Sequence, residues 1–157
     1  MQVNWMNHTG FVVSDMESAL GFYRDLLGLE VQRDATAEGE AISHILGFED
    51  ARVRIVQLGT GDMRHAVELL EYLHPKPSRR LEAARNDVGA AHLALVVDDL
   101  ERWYELLRGR GITFVNPPRF REAAYPRGRR TCYLQDPDGN WLEMIERDDP
   151  PADATTP

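Results

Sequence analysis

His8-Thr9-Gly10-Phe11-Val12-Val13-Ser14-Asp15 returns 84 residues later as His92-Leu93-Ala94-Leu95-Val96-Val97-Asp98-Asp99. Both stretches are short runs rich in β-branched, aromatic and aliphatic residues, and they read as strands. Each is followed by a glutamate three positions after a capping side chain, Glu17 after Ser14 and Glu101 after Asp98. That spacing predicts a helix start in both places. Beyond the first start, Met16, Ala19, Leu20, Tyr23, Leu26 and Leu27 recur at helical spacing; beyond the second, Leu100, Trp103, Tyr104, Leu106 and Leu107 do so. Gly28 ends the first helix, and Gly109 and Gly111 the second. Leu29-Glu30-Val31 and Ile112-Thr113-Phe114-Val115 then open new strands.

The repeat reaches the end of each half. Ala66-Val67-Glu68-Leu69-Leu70-Glu71 resembles Trp141-Leu142-Glu143-Met144-Ile145-Glu146. The chain therefore reads as two copies of strand–helix–several strands, the first over 1–78 and the second over 89–147, joined by a polar linker over 79–88. A repeat of this size suggests fused, pseudo-symmetric modules; a solenoid needs at least about three shorter units. Ala41 to Phe48 predicts a short helix inserted in the first module. Asn116 to Arg130 reads as a long basic loop, and Asp136-Pro137-Asp138-Gly139-Asn140 as a turn. The tail over 148–157 has three prolines and no large apolar residue, and disorder is expected there.

The 157 residues, 43% hydrophobic, suffice for one domain or two small fused modules. The net charge of −8 disfavours nucleic acid or an anionic membrane as a partner, since neither is attracted to the average surface. It leaves an anionic small substrate open, because a pocket can be locally basic. All 18 basic residues except Lys76 are arginine. Cys132 is the only cysteine, so an intrachain disulfide, a redox pair and a cysteine-rich zinc site are excluded. It is expected as a small buried apolar group. No apolar run is long enough to span a bilayer, and no signal-peptide pattern opens the chain. The expectation is a cytoplasmic protein.

The repeat places two chemistry-bearing residue types twice: His8 and His92 at the start of each first strand, Glu68 and Glu143 in each last strand. Strand side chains alternate between faces, so His8 shares a face with Gly10 and Val12, and His92 with Ala94 and Val96. If a pseudo-twofold axis relates the modules, equivalent residues converge in pairs. Two imidazoles and two carboxylates suit Zn, Ni, Co, Fe or Mn. A lone histidine on a strand is more commonly a structural or surface residue. Histidine and glutamate repeated inside apolar strands, however, cost desolvation unless they find partners.

These stretches, together with Phe22-Tyr23-Arg24-Asp25-Leu26-Leu27-Gly28-Leu29 and Asp136 to Glu143, resemble the vicinal oxygen chelate superfamily. That superfamily includes glyoxalase I, methylmalonyl-CoA epimerase, extradiol dioxygenases, fosfomycin-resistance enzymes and bleomycin-binding proteins. The resemblance covers almost all of residues 5–147. It implies an α+β fold of two pseudo-symmetric βαβββ modules forming an incomplete mixed β-barrel around one metal-binding cleft. It also implies one divalent metal held by His8, Glu68, His92 and Glu143, a small-molecule substrate and a homodimer.

The ligand order His-Glu-His-Glu resembles glyoxalase I most. The chemistry so implied is proton transfer next to a carbonyl, with an enediolate stabilised by the metal as Lewis acid. Glu143 is the favoured base, with Glu68 its partner. The alternatives are an extradiol-type Fe(II) dioxygenase of an aromatic substrate and an antibiotic-type binding protein without catalysis. One departure stands out: small bacterial glyoxalase I carries an arginine and an asparagine for glutathione at the positions of Val12 and Tyr72. Tyr125, Arg127, Arg129 and Arg130 are candidates for a lid over an acidic substrate, against the plainer reading of a solvated loop. Trp5 is a candidate pocket residue, Trp103 and Tyr104 read as core, and His44, His65 and His74 as surface.

Overall fold

The structure, a computed structural model, describes residues 1–61, 65–120 and 128–147. The chain divides into two compact units, Met1–Glu82 and the stretch beginning at Ala83. The first runs β1 (His8–Val12), α1 (Met16–Leu20), β2 (Glu30–Glu38), α2 (Glu40–Leu46), β3 (Arg52–Gly59) and β4 (Ala66–His74). The second runs β5 (His92–Val97), α3 (Leu100–Gly109), β6 (Arg119–Phe120), β7 (Gly128–Gln135) and β8 (Trp141–Arg147). Each unit makes one four-stranded mixed sheet, in the orders β1-β4-β3-β2 and β5-β8-β7-β6, and neither closes into a barrel. The first strand pairs parallel to the last in both sheets, and the remaining pairings are antiparallel. The fold is α+β with the βαβββ repeat that the sequence implies.

Both helices start one residue later than the expected caps. Asp15 and Asp99, not Ser14 and Asp98, accept the orphan backbone N–H groups of Ser18 and Arg102. A carboxylate one residue nearer the helix reaches the third N–H directly and suits the positive end of the helix dipole. Glu146 of β8 accepts from the Leu100 N–H at 3.0 Å, tying α3 to its sheet. The first helix continues beyond Leu20 as a wider π-helical turn over Gly21–Leu26. Adjacent Phe22 and Tyr23 are both buried there, whereas the expected core residues Leu26 and Leu27 are half-buried. Gly28 then takes the left-handed conformation (φ 75°) that ends the helix.

Each sheet buries one face under its helix. In β1, Phe11 is buried while His8 and Val12 are exposed; in β5, Leu93 is buried while His92 and Val96 are exposed. The helix side of the first unit is made by Met16, Leu20, Tyr23, Val56, Leu58 and Leu69, that of the second by Leu100, Tyr104, Leu107, Leu134, Leu142 and Met144. A fully buried leucine of this kind is worth about 2 kcal/mol. At the edge of the first core, Arg54 joins Asp34 at 2.8 Å and Glu17 at 2.7 Å. The guanidinium holds the Asp34 carboxyl below its usual range, and the two carboxylates raise Arg54.

The strand expected over Ile112–Val115 is reduced to a single bridge, Phe114 to Leu134. Pro117 and Pro118 have no N–H to carry a ladder on. Pairing resumes only at β6, and β7 begins inside the stretch read as loop. The Asp136–Asn140 turn folds around the buried Asp136 carboxylate, which accepts from the N–H groups of Asp138 and Asn140 and from the Asn140 amide. Gly139 supplies its positive φ of 90°. Tyr125, Arg127 and the tail over 148–157 lie outside the described residues. Among the described residues no helix is long and apolar enough to cross a membrane.

Cys132 lies buried on β7. Burial first, then the charges of Glu101 and Glu143, push its thiol up to about 11. At pH 8 it therefore holds about a hundredfold less thiolate than a thiol at the ordinary 9.0. Iodoacetamide at pH 8 is expected to label it at least about a hundredfold more slowly than a free cysteine. Unfolding in urea should restore the free rate.

Candidate metal centre

In the first unit, β1 and β4 run parallel with His8 opposite Ala66 and Glu68 opposite Gly10. Both side chains stand on the face away from α1. His8 Nε2 lies 3.4 Å from Glu68 Oε1. The other ring nitrogen, Nδ1, lies 2.7 Å from Asn7 Oδ1, a contact that orients the ring. The second glutamate oxygen, Oε2, accepts from Gln57 Nε2 at 2.6 Å. Gln57 is the β3 residue opposite Glu68 in the register.

The second unit repeats this. His92 lies opposite Trp141 and Glu143 opposite Ala94. His92 Nε2 is 3.3 Å from Glu143 Oε2, and Thr131 Oγ1 donates to Glu143 Oε1 at 2.8 Å. The Tyr133 ring, opposite Glu143 on β7, meets the His92 ring edge to face at 5.2 Å. Glu143 is 7% exposed. A carboxylate this covered needs partners, and Thr131 is one of them.

The spacing of each pair tests whether these residues fit a metal. Charge-assisted N–H···O bonds sit at about 2.7–2.9 Å, well inside the 3.3–3.4 Å found twice. Two donors bound to one ion at about 2.1 Å, at angles near 90–110°, stand about 3.0–3.4 Å apart. The pairs match the edge of a coordination polyhedron better than a direct hydrogen bond. Gln57 and Thr131 each hold one carboxylate oxygen and leave the other beside the histidine, the arrangement that orients metal-ligating carboxylates. A divalent ion therefore fits the donor set. Among the described residues no group of three or more His, Cys, Asp or Glu side chains is gathered, so each unit presents a pair.

Residues 5–144 match the sequence family described as Glyoxalase/Bleomycin resistance protein/Dioxygenase superfamily. The chain belongs to this superfamily. Within it, the chain is 29% identical over 144 residues to a 2-epi-5-epi-valiolone epimerase from Actinomyces, covering 89% of this chain and 78% of that protein. It is 29% identical over 142 residues to the lactoylglutathione lyase of Haemophilus influenzae, covering 88% and 90%. A glyoxalase-family protein of Bacillus cereus shares the fold with a TM-score of 0.80 at 23% identity, covering 94% and 96%.

The other residues read from the sequence fall as follows. Val12 and Tyr72 lie on the strand faces that carry His8 and Glu68. Val12 is 50% exposed, and the Tyr72 ring packs edge to face on Phe48 at 5.8 Å. Arg130 turns to Glu101 on α3 at 3.4 Å. Trp5 is exposed, Tyr104 is buried against Phe114, and Trp103 is half-buried. His65 departs from its expected surface role: half-buried, it hydrogen-bonds Thr9 at 3.0 Å and helps hold the β1 strand. Sequence reading missed Asn7, Gln57 and Thr131. The only signal for the last two is register, because each reaches its glutamate from the adjacent antiparallel strand.

Proposed function

We propose that the protein is a divalent-metal-dependent isomerase or lyase of the glyoxalase type, moving a proton between carbons next to a carbonyl. Its metal ligands are His8, Glu68, His92 and Glu143. The observation that carries this reading is the His–Glu pair made twice in the same parallel register, with ligand-like spacing and with the second carboxylate oxygen held. A bound Zn, Ni, Co, Fe or Mn ion would supply Lewis-acid stabilisation of negative charge on the substrate oxygens.

The chain's own groups do the rest. Thr131 donates to Oε1 of Glu143 and holds in place the carboxylate that would take the proton. Glu68, fixed by Gln57, returns one. Asn7 orients the His8 ring. The substrate class is an α-hydroxycarbonyl compound. Val12 and Tyr72 replace the arginine and asparagine that hold glutathione in the small bacterial glyoxalase, so a glutathione adduct is not assigned. The homodimer implied by the resemblance belongs to the same proposal.

Metal analysis tests it. Protein prepared without chelator at neutral pH, where imidazole and carboxylate are free to ligate, is expected to carry about one equivalent per chain. Less than about 0.1 equivalent, with no uptake on adding Zn, Ni or Co, would overturn the reading.

A further inference from the structure

We propose that the second unit carries an oxyanion-binding subsite beside the His92–Glu143 pair, built on Arg85 and Arg119, and that it takes a carboxylate or phosphate group of the substrate. The substrate part rests on the function proposed above; the oxyanion site does not.

A cavity of about 620 Å³ opens in this unit, lined by Arg85, Asn116, Arg119, Thr131 and Tyr133 among others. Two of those residues belong to the neighbourhood of the His–Glu pair. Thr131 donates to Glu143, and Tyr133 packs on His92. The cavity and the pair thus share a wall, and a small molecule can touch both.

The cavity is cationic in a chain whose net charge is −8. Its described lining residues include two guanidiniums and no carboxylate. Of the other exposed arginines, Arg24, Arg52 and Arg130 are paired with a carboxylate, whereas Arg102 has none among the described residues. Neither Arg85 nor Arg119 has such a partner among the described residues. Arg85 is also held in place. Its guanidinium lies 4.9 Å from the Tyr133 ring centroid and 5.4 Å from that of Trp141. The Trp141 indole N–H donates to the Ala83 carbonyl at 3.1 Å and anchors the segment that carries Arg85. A guanidinium stacked on rings keeps its N–H donors in its edge, where they can grip an oxyanion bidentately. A lysine would offer a point charge without that fork. The segment read from sequence as linker therefore supplies a binding side chain to the second unit.

The test uses the full chain treated with EDTA, so that metal plays no part. It is titrated at low salt with inorganic phosphate and, separately, with succinate, followed by calorimetry and by tryptophan emission, since Trp141 adjoins Arg85. Saturable binding of at least one probe is expected, weakened at least about tenfold in Arg85→Gln and in Arg119→Gln. Arg102→Gln, at an exposed arginine on α3, should bind as the wild type does. Binding of phosphate alone or of succinate alone supports the subsite and identifies the group it takes. No saturation with either probe, or wild-type affinity in Arg85→Gln, overturns it. A chain that fails the metal test but passes this one loses the proposed function and keeps the subsite.

Discussion

Glu143→Gln is expected to lower turnover by about a hundredfold to ten-thousandfold, the range that a positioned general base contributes. The amide keeps the size of the side chain, and its oxygen can still accept from Thr131 Oγ1. What is lost is the oxygen facing His92 Nε2 at 3.3 Å, now an NH₂ with no capacity to take a proton. The buried position makes this severe, because little water reaches it to substitute for the missing base. The rate is measured as proton exchange next to the carbonyl in deuterated buffer, on the α-hydroxycarbonyl compound that the wild type turns over fastest. Saturating metal, with bound metal quantified in parallel, separates lost base from lost ligand. Unchanged turnover would remove Glu143 as the base. Thr131→Val is the milder companion, since it removes the hydrogen bond to Oε1 without touching the charge; losing an outer partner of this kind costs about ten- to a hundredfold.

Tyr23→Ala is expected to destabilise the first unit by about 3–5 kcal/mol. Tyr23 is fully buried. Its ring stacks on Phe11 at 6.3 Å and meets Phe22 edge to face at 5.0 Å. Truncation leaves a ring-sized cavity and removes two aromatic contacts at once. Phe11 lies on the same five-residue strand as His8, so the loss also loosens the strand that carries a proposed ligand. Urea denaturation read by circular dichroism checks it, with Trp5→Ala at an exposed site as the control, expected within about 0.5 kcal/mol of wild type. A Tyr23→Ala midpoint matching wild type would show that this cluster does not hold the core.

Much was legible in the sequence because the fold is written twice. Strand alternation groups His8 with Gly10 and Val12, and His92 with Ala94 and Val96, without reference to any contact, and the structure keeps that alternation. Helical spacing locates α1 and α3 to within a residue or two, since an apolar stripe needs only local periodicity. The places where reading failed are those where local rules compete. Asp15 outbids Ser14 as cap because both are acceptable and only the backbone path decides. The π-helical turn buries Phe22 beside Tyr23, which a 3.6-residue period does not foresee. The prolines after Val115 cut a strand that β-propensity favours.

The sequence by itself determined the module repeat, the alternation that groups His8 with Val12 and His92 with Val96 on one strand face, and the absence of cysteine chemistry beyond Cys132. These depend on residue order and on periods of two and 3.6, which are local. Only the tertiary structure decided that each histidine stands 3.3–3.4 Å from its glutamate, that Gln57 and Thr131 hold the far carboxylate oxygens, and that Arg85 stacks on Tyr133 and Trp141. Those contacts join residues 11 to 60 positions apart in sequence. They follow from strand register and from where a connecting segment docks, which hydrogen bonding and packing settle together.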